Sequence, residues 1–216
     1  MERLNIVQGN CTEVAPVKQT LAYNGVPASR IVMGVGATPS MQWSIQNPVV
    51  VDQPNICEDT AKAIFSALRD LRKEGVIVEA QKPTLICIST TGTTEERDVP
   101  LELNWAYHAF LSIPHKDKAV MEELVAKTSL ETGLDAPISD FIIIRPSLLM
   151  DGESQGMSAV RVGWVEHKDA PGESGGEAPG AAIGRTIRRV DVGLWLYENA
   201  IKNTSEWRGK CVTLTY

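Results

Sequence analysis

Two kinds of segment alternate along this chain, and the alternation is the strongest constraint on its fold. Short continuous apolar runs, Ile31-Val32-Met33, Leu85-Ile86-Cys87-Ile88 and Phe141-Ile142-Ile143-Ile144, each end in glycine, small polar residues or Arg-Pro. Between them lie longer stretches with apolar residues at spacings of three and four. The clearest runs from Cys57 to Lys73, where Ala61, Ile64, Phe65, Leu68 and Leu71 fall on one face before Gly75. A strand that is apolar on both faces belongs in a parallel sheet covered by helices. The pattern therefore predicts an α/β fold with a mostly parallel sheet and flanking helices. Strands are expected at Leu4 to Gln8, Arg30 to Gly36, Thr84 to Ser89, Phe141 to Ile144, Val160 to Val165 and Cys211 to Leu214. Further helices are expected at Val14 to Tyr23, closed by Asn24-Gly25, and at Leu103 to Leu111, Lys116 to Leu130 and Val190 to Lys202.

A length of 216 residues, 43% hydrophobic and 22% charged, suits one soluble domain spanning 1–216 with ample core. Within it, 153–182 reads as a small substrate lobe or lid, because Glu166 to Gly180 is rich in glycine, proline and acid and has no periodicity. The net charge of −6 argues against a nucleic-acid partner, which wants a basic face. The short basic cluster Arg185, Arg188 and Arg189 reads as the start of a helix. Cys11, Cys57, Cys87 and Cys211 are widely spaced with no C-x-x-C, so buried free thiols are expected rather than a disulfide framework or a zinc site. No signal peptide and no membrane-spanning run is visible, which makes the cytoplasm the default location and a membrane partner unexpected.

Several phrases carry a family likeness. Leu85 to Gly92 resembles the strand-to-loop segment of short-chain dehydrogenases. Lys118-Ala-Val-Met-Glu122-Glu-Leu124 resembles the K-x-x-x-E-x-L helix of their atypical, NmrA-like branch. Arg145-Pro146 resembles the branch's strand end, and Ile187-Arg-Arg189-Val-Asp191-Val192 its I-S-R-x-D-V segment before a late helix. Gly9-Asn10-Cys11-Thr12 and Gly34-Val35-Gly36 resemble two further segments that border the cofactor in that family. The chain thus resembles fungal NAD(P)-binding oxidoreductases of secondary metabolism, the averufin-oxidase type among them. The resemblance implies a Rossmann-like sheet, N-terminally truncated, with a small C-terminal substrate lobe. Roughly the first βαβ unit, ~30–45 residues, has no counterpart here. No G-x-G-x-x-G turn, the usual pyrophosphate cradle, stands in the sequence.

The resemblance implies cofactor contacts from Asn10, Gly34, Gly36, Ser89, Lys118 and Pro146, with NADP or NAD as cofactor. Lys118 lies three residues before Met121 and seven before Val125, so it shares the inward face of its helix. A lysine there needs a partner or a task. Either it holds the nicotinamide ribose and polarises the proton relay, as the matching family residue does, which makes Lys118 a catalytic candidate, or it pairs with Glu122 one turn on. Ser89, Thr90 and Thr91 stand at a strand's carboxyl end, where open parallel sheets bind ligands, so Ser89 and Thr91 are catalytic candidates; turn chemistry before Gly92 is the plainer alternative. Tyr107 and His115 complete the catalytic candidates, histidine being the side chain that titrates near neutral pH. The Y-x-x-x-K pair of typical dehydrogenases is absent, and Tyr107 stands eleven residues before Lys118. Asp191 reads as structural, an acid in the first turn of a helix. The function expected is an NAD(P)-dependent oxidoreductase acting on a polyketide-like small molecule. The alternatives are a non-catalytic NmrA-like sensor or partner-binding protein, a degenerate or truncated paralogue, and a cofactor-independent isomerase or cyclase. An exposed sheet edge would favour a homo-oligomer.

Overall fold

The computed structural model describes residues 4–41, 49–93, 112–170 and 178–216. The expected helix Leu103 to Leu111 lies outside these residues, as do Trp43, Trp105, Tyr107, His108 and 171–177 of the acidic loop. In chain order the described elements are α1 (Val14–Leu21), β1 (Ala22–Tyr23), β2 (Val26–Pro27), β3 (Arg30–Met33), β4 (Pro39–Met41), β5 (Val49–Val51), α2 (Ile56–Lys73), β6 (Thr84–Ile88), α3 (Ser112–Ser129), β7 (Asp140–Pro146), β8 (Leu148–Met150), β9 (Arg161–Glu166), β10 (Thr186–Arg188), α4 (Arg189–Trp195), α5 (Thr204–Trp207) and β11 (Lys210–Thr215).

The main sheet has the order β3-β6-β7-β11-β9. The first four strands are parallel and β9 runs antiparallel to β11. Successive side chains of a strand face opposite sides, and here each side meets its own core. On one side Leu85, Cys87, Phe141, Ile143 and Cys211 pack with Ala61, Ile64, Phe65 and Leu68 of α2 and with Met121 and Val125 of α3. On the other side Ile86, Ile142, Ile144, Val212 and Leu214 pack with Ile187, Val192 and Trp195. Two apolar layers explain why the strands read as unbroken apolar runs. The sheet is mixed α/β with helices on its faces, as expected. All four cysteines are free, with Cys57, Cys87 and Cys211 buried. Among the described residues no helix is long and apolar enough to cross a membrane.

Four local expectations change. Residues 4–8 form no strand, and Leu4 and Ile6 are 77% and 80% exposed. A strand needs a neighbour for its backbone groups and an apolar layer for its side chains, and among the described residues this segment finds neither. Asn24-Gly25 does not simply stop a helix. With φ of 49° and 75° the two residues form the tight turn between β1 and β2, the left-handed pair that a two-residue hairpin requires. Pro114 falls inside the first turn of α3 rather than before the helix, where its missing N–H breaks no intrahelical bond. The last helix is interrupted: α4 widens into a π-turn at Leu196–Ile201.

Helix α2 ends and begins by different devices. At its C-terminus Val76 N bonds Leu71 O at 2.9 Å and Gly75 N bonds Arg72 O at 3.0 Å, with Gly75 at φ 76°. This is a Schellman closure, and it requires the left-handed residue that glycine supplies. At its N-terminus Asn55 gives no side-chain bond. The buried carboxylate of Asp117, on α3, accepts instead from Cys57 N at 2.9 Å and Glu58 N at 3.0 Å. One side chain thus caps α2 and ties it to α3. Asp117→Ala is expected to lower folding stability by about 2 kcal/mol, the upper end for a lost cap. A urea titration checks this, and a midpoint equal to wild type would remove Asp117 from this role.

Beyond β9, His167 is buried beside the Glu122–Arg145 ion pair. Its Nδ1 accepts a hydrogen bond from Asp169 N at 3.2 Å, which the neutral ring can do and a doubly protonated ring cannot. Burial pulls its pKa below the ordinary 6.5, with Arg145 and Lys168 in the same direction and Glu122 and Asp169 opposing. The folded state therefore binds fewer protons than the unfolded chain in the window just below 6.5. This contribution to stability is full above that value and is lost as pH falls through the folded pKa. His167→Gln should flatten the acid limb of stability between about pH 7 and pH 5, measured by urea midpoints; an unchanged slope would assign the limb to other groups.

Candidate functional site

The carboxyl ends of β3, β6 and β7 open into one cleft of about 500 Å³. Ligands of open parallel sheets sit at this end because the loops leaving the strands diverge there. From β3 come Gly34, Val35, Gly36 and Ala37; from β6, Ser89 and Thr90; from β7, Pro146 and the residues after it. Helix α3 adds His115 and Lys118, and the start of α4 adds Arg189. A Cβ placed on Gly34 or Gly36 would meet no atom within 4 Å, so these glycines leave backbone open to the cleft rather than relieving a clash.

Lys118 is held across two strands. Its Nζ donates to Val35 O at 3.0 Å and to Ile88 O at 2.6 Å. The Cys57 side chain lies within hydrogen-bond reach of the same ammonium, and Lys118 lines the cleft beside these contacts. The pairing with Glu122 expected as an alternative does not form. Glu122 turns instead to Arg145, with Nε–Oε1 at 3.1 Å and a second bond at 2.7 Å, and both side chains are 3% exposed. The guanidinium fork fits a carboxylate with two parallel bonds, which an ammonium cannot match.

Ser89 is the other distinctive group. The residue is 5% exposed, its N–H donates to Ile144 O at 2.7 Å, and its Oγ has no hydrogen-bond partner among the described residues. A buried hydroxyl without a partner is costly and uncommon. Thr91 is also buried, but its N–H serves Pro146 O at 3.2 Å and the residue does not line the cleft. The nearby thiols are poor nucleophiles at neutral pH. Burial, partly offset by Lys118, pushes Cys57 up to about 11 and Cys87 up to about 12.

Asn10 stands elsewhere, lining a second cavity of about 220 Å³ between α1, α2 and the outer side of β3. That cavity shares Gly34 and Val35 with the cleft. The Asn10 side chain is engaged locally, accepting from Thr12 N at 3.0 Å and Thr12 Oγ1 at 2.9 Å. Asp191 is structural as expected. Burial alone would raise its carboxyl, but bonds from Ser154, Tyr216 and the Gln155 and Gly156 amides outweigh this and hold it below the usual range. Arg189 escaped the sequence reading as a cleft residue. Parallel pairing of β8 with β10 brings it to the rim, where it meets Asp151 Oδ1 at 2.8 Å. Only the Arg-Arg step at the start of a helix could have flagged it. Gly34, Gly36, Ser89, His115, Lys118 and Pro146 are therefore brought together, while Thr91 and Asn10 are not and Tyr107 lies outside the described residues.

No protein-family model matches the chain. Over 227 aligned residues it is 40% identical to reductase pytE of Aspergillus terreus, covering 100% of this chain and 78% of that protein. The chain belongs to the pytE family. A second member, oxidase pynE of Aspergillus niger, is 32% identical over 243 aligned residues, covering 99% of this chain and 79% of its own length. The cleft just described is the natural place to look for the chemistry of this pytE-like chain.

Proposed function

We propose that this chain is an oxidoreductase of the atypical short-chain type, dependent on NADP or NAD, that acts on a polyketide-like secondary metabolite. Relatives named a reductase and an oxidase support the reaction class. The observation that carries the reading is the pairing of Lys118, strung between the Val35 and Ile88 carbonyls, with the partnerless Ser89 hydroxyl in one cleft. The Ser89 hydroxyl and the Lys118 ammonium are the donors the cleft offers to oxygens of a ligand. The open backbone at Gly34 and Gly36, lining the same cleft, supports the nicotinamide end of a cofactor lying there. The sequence contains no G-x-G-x-x-G turn to hold the pyrophosphate end.

Bound nicotinamide would supply hydride transfer. Lys118 would hold a ribose hydroxyl, and Ser89 would orient the substrate oxygen whose proton is gained or lost. His115, on the cleft wall, exchanges that proton with solvent. Pro146, Leu148 and Leu149 give the reacting face an apolar side. Titration with NADPH and with NADH, read by energy transfer from tryptophan, tests the reading. Saturable micromolar binding is the expected result. A folded chain that binds neither nucleotide would overturn it and leave a partner-binding relative as the working alternative.

A further inference from the structure

A third cavity, of about 200 Å³, lies at the opposite end of the sheet, where β3 and β6 begin. Three cations line it: Arg30, Lys82 and Arg208. Hydroxyls from Ser29, Thr84 and Thr204 line it too, and no carboxylate does. On a chain of net charge −6 such a concentration of positive charge stands apart.

The cations are poised differently, and each keeps donors to spare. Arg30 Nε donates to Thr204 Oγ1 at 2.6 Å, and that threonine, 4% exposed, is itself anchored to Ala200 O at 2.8 Å. The buried hydroxyl sets the plane of the Arg30 guanidinium while leaving its terminal nitrogens for another partner. Lys82 pairs with Glu79 at 2.6 Å, but Glu79 is 65% exposed and already serves Arg72. A carboxylate so solvated holds its partner weakly. Arg208 makes no hydrogen bond or ion pair among the described residues. The opposing charge is Asp140, which stands in register with Thr84 and Arg30 across the sheet. Burial raises its pKa and Arg208 pulls it back, and its Oδ1 is occupied by Phe141 N at 2.8 Å.

We propose that this cavity is a binding site for a phosphate group, held by the Arg30 and Arg208 guanidinium groups and the Lys82 ammonium. Guanidinium forks match the paired oxygens of phosphate and the ammonium adds a point charge, while the Thr204 hydroxyl, spent on Ala200 O and Arg30, positions rather than contacts the ligand. The site is independent of the cleft and does not rest on the oxidoreductase reading.

The test is an NMR titration of the isotope-labelled full chain with inorganic phosphate and, separately, with methyl phosphate, in a buffer low in chloride. The expected result is saturable shifts at the Ser29, Arg30, Lys82, Thr84 and Arg208 amides. Arg208→Gln, at an exposed position, should weaken binding about tenfold, the effect of losing one charged hydrogen-bonding partner. Asp140→Asn keeps the acceptor for Phe141 N and removes the opposing charge, so it should tighten binding. Equal affinity for the two probes assigns the site to free phosphate, and tighter methyl phosphate to phosphate on an organic carrier; either supports the site. Shifts that grow without saturation, that centre on Gly34 and Ser89, or that persist unchanged in Arg208→Gln would overturn it.

Discussion

Glu122→Ala is expected to lower folding stability by about 3–5 kcal/mol, a large part of what a domain of this size possesses. Glu122 and Arg145 meet through two hydrogen bonds in an interior where each side chain is 3% exposed. Removing the carboxylate takes from the buried guanidinium the group it meets through two hydrogen bonds, with the His167 ring nearby. The cost is that of a charge left in a poor solvent, and it exceeds what the pair contributes when intact. The double variant Glu122→Leu with Arg145→Leu should therefore recover much of the loss, since neither charge then needs solvation. Equilibrium urea unfolding of the three proteins measures this directly. A single variant that loses less than about 1 kcal/mol would show that water reaches the pair and solvates what is left, as at exposed ion pairs.

Lys118→Ala is expected to weaken NADPH binding by about 10–100-fold, the range for a lost hydrogen bond to a charged donor. The substitution also frees the carbonyls of Val35 and Ile88, which the ammonium now joins at 3.0 Å and 2.6 Å. A drop in affinity alone would thus leave open a merely structural lysine. Ser89→Ala separates the two roles. Its hydroxyl satisfies no group in the fold, so its removal should leave stability unchanged or slightly raised while ligand binding or turnover falls. A destabilised Ser89→Ala would mean that the hydroxyl serves the fold instead. Should both variants bind nucleotide as wild type does, the cleft is not the cofactor site.

Much of the architecture was legible because strands and helices here obey their own periodicities. The runs around Ile86 and Ile143 are apolar on consecutive residues, and the structure buries both faces of those strands. Helix α2 was readable to within one residue at its start, since its apolar face and Gly75 mark it locally. Leu4 to Gln8 carried a similar apolar signal and forms no strand, because pairing depends on a neighbour that local sequence does not specify. Asn24-Gly25 was read as a helix stop, although the same dipeptide is the strongest short signal for a tight hairpin.

The candidate site shows the same division. Lys118 was singled out by its position on an apolar helix face, and Ser89 by its place at the end of a strand. Their environments were not readable. One of the two readings of Lys118 pairs it with Glu122 one helical turn away, yet its bonds run to backbone 83 and 30 residues distant. Asp117 caps a helix whose start lies some 60 residues earlier, and no local cap pattern announces it. Composition and periodicity by themselves determined the class of fold and the identity of its central strands, since these follow from short-range geometry. Tertiary structure alone decided that Glu122 takes Arg145 and leaves Lys118 to two carbonyls, that Ser89 keeps a hydroxyl without a partner, and that Arg189 reaches the rim. Those outcomes depend on which groups compete for one another in the folded interior, and that competition takes place between residues far apart along the chain.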